Sequence, residues 1–371
     1  MRRRRPSPPG SRWPRRRAFF RFRVFVHRHG ALHRRTSMHA VFRYLLIAAL
    51  ALAAGCACAG ERARWPAPSH DGAPLVGVQV KLPSFSADDA RRIRVTGFDF
   101  VRIGVWTDRL DRPAYRRAID AAITAAHDAQ LPVLLTIRTL EPLAPRDAPA
   151  ERRMAVLADA GATLADALTR LADQYRAQLL AIELWNEPDL DKYWPTGEVD
   201  STFAPFMRAV CVRLRERRPH VPVIGFAFSR APFAGSVPDR LLKPLVPSLA
   251  GCVDAISYHA YGMAPARIRA AARDVQARYG LPVAITEDGA TSVGPGGDAR
   301  QVKRLTTVLA ASNESMTPLI SIYERADTPN GPDAAQRNYG LRPRRTGPPK
   351  PALDAVARAL RVRRGALRGP D

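Results

Sequence analysis

Two glutamates stand where an apolar run stops: Glu187 at the end of "LLAIELWNEPDL" and Glu287 after "LPVAIT". A strand that stays hydrophobic and then ends on a carboxylate carries a desolvation cost unless the carboxylate has a task. Two such groups facing one another would suit cleavage of a glycosidic bond. One protonates the departing oxygen while the other attacks or stabilises the anomeric carbon. Arg102, Trp106, Trp185, Asn186, His259, Tyr261 and Tyr323 also fall at the ends of apolar runs. Their rings are suited to stacking on sugar faces, and their polar groups to binding hydroxyls. Taken singly, a strand-end glutamate is an ordinary ion-pair or cap partner, Trp185 would simply roof the core, and Arg102 would pair with any acid. The two glutamates together, one preceded by Asn186 and both near aromatic residues, favour the catalytic reading.

Positioning such groups needs a scaffold, and the chain alternates short apolar runs with longer amphipathic segments. Eight runs read as strands, at 76–80, 98–105, 133–137, 179–185, 223–228, 253–258, 283–286 and 319–323. Each is followed by a segment with helical spacing. Ser86 and Asp298 stand at cap positions, and Gly97 and Gly280 close two helices. Eight strand-then-helix units predict a parallel sheet closed into a single (β/α)8 barrel over residues 74–364. An open doubly wound sheet would call for a glycine-rich first turn, and "KLPSFSADD" has none. Residues 365–371 read as a loose tail.

The net charge of +24 would suggest a polyanionic partner, but residues 1–37 hold 13 Arg and no acid. The remainder carries 45 basic against 34 acidic residues, a net +11, so the headline charge says little about the main domain. The Arg-rich stretch reads as upstream sequence ahead of an internal start at Met38, with a nucleic-acid arm as the other reading. Residues 38–59 read as an export signal, with Arg43 before a short apolar run and small residues after it. Two cleavage patterns fit. Ala53-Ala54-Gly55-Cys56 would leave a lipid-modified Cys56 as a membrane anchor, and Ala57-Cys58-Ala59 suits an ordinary signal peptidase. Residues 60–73 form a polar linker. Beyond them stand Cys211 and Cys252, read as small buried hydrophobes rather than as a pair.

The segments "ELWNEPD" and "AITEDGA" resemble the acid/base and nucleophile strands of clan A retaining glycoside hydrolases. "GFDFVRIGVW", "VDAISYHAYG" and the closing "NYGL" and "KPAL" segments are similar to families 39 and 5 of that clan. The resemblance implies a poly- or oligosaccharide substrate, Glu187 as acid/base and Glu287 as nucleophile, about 5–5.5 Å apart. It further implies Asn186 on the substrate 2-hydroxyl and Arg102 keeping Glu287 ionised. Glu187 would start protonated, Tyr261 or Tyr258 would orient the nucleophile, and His259 would line the same subsite. No metal or organic cofactor is implied.

Strand eight departs from the clan by ending in Tyr323, Glu324 and Arg325 rather than Trp. The Glu324–Arg325 pair reads as a structural salt bridge, or else Arg325 meets an acidic sugar. Tyr193 and Trp194 in the loop after strand four are expected to shape further subsites. Histidines 70, 127, 220 and 259 lack metal-ligand spacing, and the interleaved charges of the helices do not favour nucleic acid. A non-catalytic carbohydrate-binding lipoprotein on the same barrel is the remaining rival.

Overall fold

A computed structural model describes residues 73–344 and 348–368, with side chains through 364. The divisions at 37 and 59 and Cys56 lie outside the described residues. Eight strands run in order: β1 (Leu75–Val80), β2 (Phe100–Trp106), β3 (Val133–Arg138), β4 (Leu179–Leu184), β5 (Val223–Phe228), β6 (Ala255–His259), β7 (Val283–Asp288) and β8 (Leu319–Ile322). All neighbours are parallel, and β8 pairs with β1 to close the barrel. Helices alternate with the strands, as the apolar periodicity predicts. In the helix Ala150–Gln174 the buried positions 157, 161, 164, 168 and 171 fall on one stripe. Ser86 caps the helix Ala87–Thr96 by accepting from the Asp89 N–H, and Gly97 and Gly280 close their helices in the left-handed region. Asp298 is not a cap. Gly296 takes that place, and Asp298 sits in the first turn.

The barrel interior is sorted by height. Because side chains alternate faces along a strand, the inward positions form layers. Phe100, Leu134, Ala181, Ile224, Ala255, Ala284 and Leu319 make an apolar cluster of their own, separate from the core outside the strands. Gly77 belongs to this level because the Phe100 ring lies 2.3 Å from where its Cβ would stand. Two residues further along six of the strands the interior turns polar, with Gln79, Arg102, Thr136, Glu183, Ser257 and Ser321 all buried. The next step reaches the mouth, at the C-terminal ends of the strands.

One feature braces that end, and another ties a helix to the opposite end. Trp185, Trp194, Phe203, Phe206, Phe226 and Phe228 form a buried cluster, with ring centroids from 4.8 to 6.2 Å apart, beside the helix Val199–Arg217. A disulfide joins Cys211 in that helix to Cys252 ahead of β6, correcting the expectation of two free thiols. The residues are 41 apart in sequence, so only the packing of the helix on the barrel brings the sulfurs together. No helix among the described residues is long and apolar enough to cross a membrane.

Candidate active site

The chain leaves β4 through two non-glycine residues in the left-handed region, Trp185 at φ 71° and Glu187 at φ 53°. Such conformations cost on the order of 1–3 kcal/mol each and persist only where surroundings enforce them. Here the Trp185 N–H donates to the Ile137 carbonyl and the Glu187 N–H to the Ala227 carbonyl, both at 2.8 Å. The turn sends the indole of Trp185 outward into the aromatic cluster and leaves the Glu187 carboxylate at the mouth. Trp185 is therefore not a sugar-stacking residue: it is fully buried and its Nε1 donates to the Tyr193 carbonyl. Trp194 is buried beside it. Tyr193 does line the cleft, with the Arg138 guanidinium 4.8 Å from its ring centroid.

Glu287 reaches the mouth by a bulge. Tyr258 pairs with Ile285 and His259 with Glu287, so β7 carries one extra residue, Thr286. That residue shifts the phase of the strand end, a common means of re-aiming a side chain. Asp288, next along, points the other way and is held by Arg304, 2.7 Å away. Burial, opposed by Arg304, pushes the Asp288 carboxyl up to about 6.

The two glutamates meet around His259. Its Nδ1 lies 3.0 Å from Glu187 Oε1 and 3.4 Å from Glu287 Oε2. One ligand atom from each of the three residues falls within 4.8 Å of the others, so the two carboxylates face one another across the mouth. Arg102 is fully buried and grips four partners: Glu183 from Nε at 2.8 Å, Gln79 and Glu287 from Nη1 at 2.8 and 2.5 Å, and Asn186 from Nη2 at 2.7 Å. Asn186 accepts through Oδ1, which leaves its amide N–H groups for a ligand. The Tyr261 hydroxyl donates to Glu287 Oε2 at 2.8 Å. Tyr258 lies buried and does not touch the pair.

The electrostatics follow from these contacts. Burial works to protonate Glu287, but His259, Arg102, the Tyr261 hydrogen bond and Lys81 outweigh it and hold the carboxyl below its ordinary value. Burial works to neutralise His259, and the two carboxylates reverse this and raise it. Tyr261 is raised well above a normal phenol by burial and by Glu287, so it stays a donor.

The cleft over these groups has a volume of about 480 Å³. Trp106 lines it, stacked on Tyr115 with centroids 6.3 Å apart, and Tyr323 lies across an edge-to-face group with Tyr261 and Tyr339. Glu324 and Arg325 are not a pair. Glu324 meets Lys81 Nζ at 3.1 Å, while the Arg325 guanidinium has no carboxylate partner among the described residues. Glu324 turns to Lys81, while the Arg325 N–H donates to the Gln79 carbonyl and its side chain lies in the neighbouring cavity. Sequence reading also missed Lys81, which donates to the Tyr323 hydroxyl at 3.0 Å, and Gln79 and Tyr339. Lys81 directly follows β1, so the strand-end rule that found Glu187 would have found it. Glu187, His259 and Glu287 have the donor types for a cation. However, both Glu287 oxygens are already taken, by Arg102 and by Tyr261, so the arrangement favours work without a metal.

A closed eight-stranded α/β barrel with facing carboxylates at its mouth describes the class. No protein-family model matches the chain, and no curated protein matches it. Among solved structures it is similar to a family 39 glycoside hydrolase from the gut symbiont Bacteroides cellulosilyticus WH2, at 19% identity and a TM-score of 0.57 over 80% of this chain and 65% of that one. It is also similar to an exo-β-1,4-mannosidase from Opitutaceae bacterium strain TAV5, at 17% and 0.58 over 82% and 62%. A family 39 β-xylosidase from Caulobacter crescentus matches at 17% and 0.55 over 78% and 71%. The chain thus spans under two thirds of the first two proteins, and at these identities the likeness speaks for the fold.

Proposed function

We propose that this protein is a retaining glycoside hydrolase acting on a poly- or oligosaccharide. The observation that carries the reading is the close approach of Glu187 and Glu287 around His259 within 4.8 Å, with Arg102 and Tyr261 on Glu287. Glu287, held ionised, attacks the anomeric carbon as Glu187 gives its proton to the departing oxygen, and a glycosyl ester forms. The ester removes the charge that Arg102 and Tyr261 had satisfied. Glu187, now a base, takes a proton from water as its oxygen displaces Glu287 from the sugar. Asn186 would meet the 2-hydroxyl, and Trp106 and Tyr323 would pack on sugar faces. The similar solved structures include proteins described as a β-1,4-mannosidase and a β-xylosidase, so β-linked glycans are the first substrates to try.

Export belongs to the same proposal. The Cys211–Cys252 disulfide suits an oxidising compartment, in keeping with a signal at 38–59. A lipid on Cys56 would anchor the enzyme in the periplasm or at the outer membrane, and cleavage after Ala59 would release it. Mass spectrometry of the purified N-terminus distinguishes these.

The test is hydrolysis of β-mannans, xylans, glucans and bacterial exopolysaccharides by the protein and by Glu187→Gln and Glu287→Gln, with product anomers followed by NMR. Retained configuration that disappears in Glu287→Gln supports the reading. Inverted products would sink it. Binding that survives both substitutions, with no turnover on any glycan, would make the barrel a carbohydrate-binding module.

A further inference from the structure

Beside the cleft lies a larger cavity of about 800 Å³. The two share Gln79, Lys81, Pro83 and Trp106 as walls, so one extended ligand can occupy both. The charges lining this side cavity do not cancel. Three acids on its wall pair with a cation, Asp88 with Arg92 at 2.7 Å, Glu324 with Lys81 at 3.1 Å and Asp327 with Lys350 at 2.7 Å, while Asp89 accepts from the Ser86 hydroxyl at 2.8 Å and keeps its charge. Three arginines of the same wall, Arg325, Arg342 and Arg344, have no carboxylate partner among the described residues.

Arg325 is the telling one. It is 5% exposed, and its Nε and Nη1 are buried without any hydrogen-bond partner. Its backbone N–H donates to the Gln79 carbonyl at 2.9 Å, which fixes its place next to β1. Burial, the Arg342 charge and Arg92 pull the guanidinium down to about 10, against the opposing pull of Asp89 and Asp88. Asp88 and Asp89 act on it from a distance, but no carboxylate bonds it, and burying a guanidinium without hydrogen-bond partners is strongly unfavourable; a carboxylate is the group that a forked donor binds in two-point fashion. Half-buried Arg342 and exposed Arg344 stand on the same wall, where they would draw an anion inward.

We propose that the side cavity is an acidic-sugar subsite, in which Arg325 receives the carboxylate of a uronic acid residue while the bond to be cut lies over Glu187 and Glu287. The proposal rests on the glycoside hydrolase reading for its second half only. Lys81 and Trp106, shared by both cavities, would mark the passage between the acidic residue and the reacting one.

The test is calorimetric binding to the full chain carrying Glu287→Gln, so that no ligand is turned over. The probes are glucuronate-bearing β-1,4-xylo-oligosaccharides and β-1,4-oligomannuronates, each against its carboxyl-reduced counterpart. At least one acidic probe should bind tenfold or more tightly than its reduced form. Adding Arg325→Met should bring that ratio close to one, with affinity for the reduced form unchanged. Arg342→Ala, a half-buried position, should lower the ratio in part and guards against misfolding of the Arg325 variant. Equal binding within both pairs, or a ratio indifferent to Arg325→Met and Arg342→Ala, would overturn the subsite. Preferential binding of acidic probes without hydrolysis of any glycan would remove the hydrolase reading and keep the subsite. Hydrolysis with the same kcat/KM on acidic and reduced substrates would do the reverse.

Discussion

Replacing Arg102 with Met removes the one cation that touches Glu183, Gln79, Glu287 and Asn186 together. Glu183 is fully buried and would keep only the Thr136 hydroxyl, at 2.7 Å. Breaking one side of such a buried pair costs about 3–5 kcal/mol. For a barrel of roughly 290 residues, with an unfolding entropy near 0.6 kcal/mol/K, that is a fall in Tm of about 5–8 °C. The second effect is on catalysis. Glu287 loses a main counter-charge, so its carboxyl rises from below its ordinary 4.5. The acid limb of kcat/KM should move to higher pH. A dinitrophenyl glycoside is the right substrate, because its leaving group departs without a proton and the limb then reports Glu287 alone. Arg102→Lys should recover part of both losses, since it restores charge without the fork. An acid limb that stays in place in Arg102→Met, with Tm lowered as stated, would refute the assignment of Arg102 as the group that keeps Glu287 ionised.

The remaining predictions are separate measurements. Cys211→Ser with Cys252→Ser opens a loop set by a 41-residue separation, which chain entropy values at about 4 kcal/mol; calorimetry should show a Tm lower by about 6–7 °C, and reduction of the native protein should do the same. Gly289→Ala would drive its Cβ to 2.2 Å from the Tyr323 carbonyl oxygen, so β7 and β8 must part beside Glu287; a loss of about 1–3 kcal/mol in denaturant unfolding is expected, with activity reduced further than stability. Because Glu287 is held below 4.5, its contribution to stability is present above that pH and fades as pH falls through its folded value. His259, raised above 6.5, behaves oppositely: its contribution is present below 6.5 and fades as pH rises through its folded value. Thermal scans of Glu287→Gln and His259→Gln across pH should each flatten one of these slopes. Dialysis against EDTA should leave the hydrolytic rate unchanged, whereas a rate restored by added divalent cation would give Glu187, His259 and Glu287 the role of metal ligands.

Much of the barrel could be read from the sequence because burial on both faces writes strands as apolar runs. A carboxylate at the end of such a run is conspicuous. The polar middle layer was harder to see, since Arg102, Thr136, Glu183 and Ser257 sit singly inside those runs and only the two-residue period sorts them inward. Trp185 misled because nothing in "LWNEP" announces a left-handed backbone, and that single torsion sends the indole into the core instead of the cleft. The Glu324–Arg325 pairing rests on adjacency in the sequence, yet Lys81, far away in sequence after β1, is the cation that reaches Glu324. The disulfide depends on helix-to-barrel packing, which spacing alone does not reveal.

The sorting of the barrel interior by height bears on how such a protein can change over time. Arg102 and Glu183 belong to strands and touch neighbours on every side, so they tolerate little substitution. Arg325, Arg342 and Arg344 lie after the last strand, outside that lattice. On the proposed reading, sugar recognition can therefore change by rewriting one loop, while the groups assigned to bond cleavage are passed on intact.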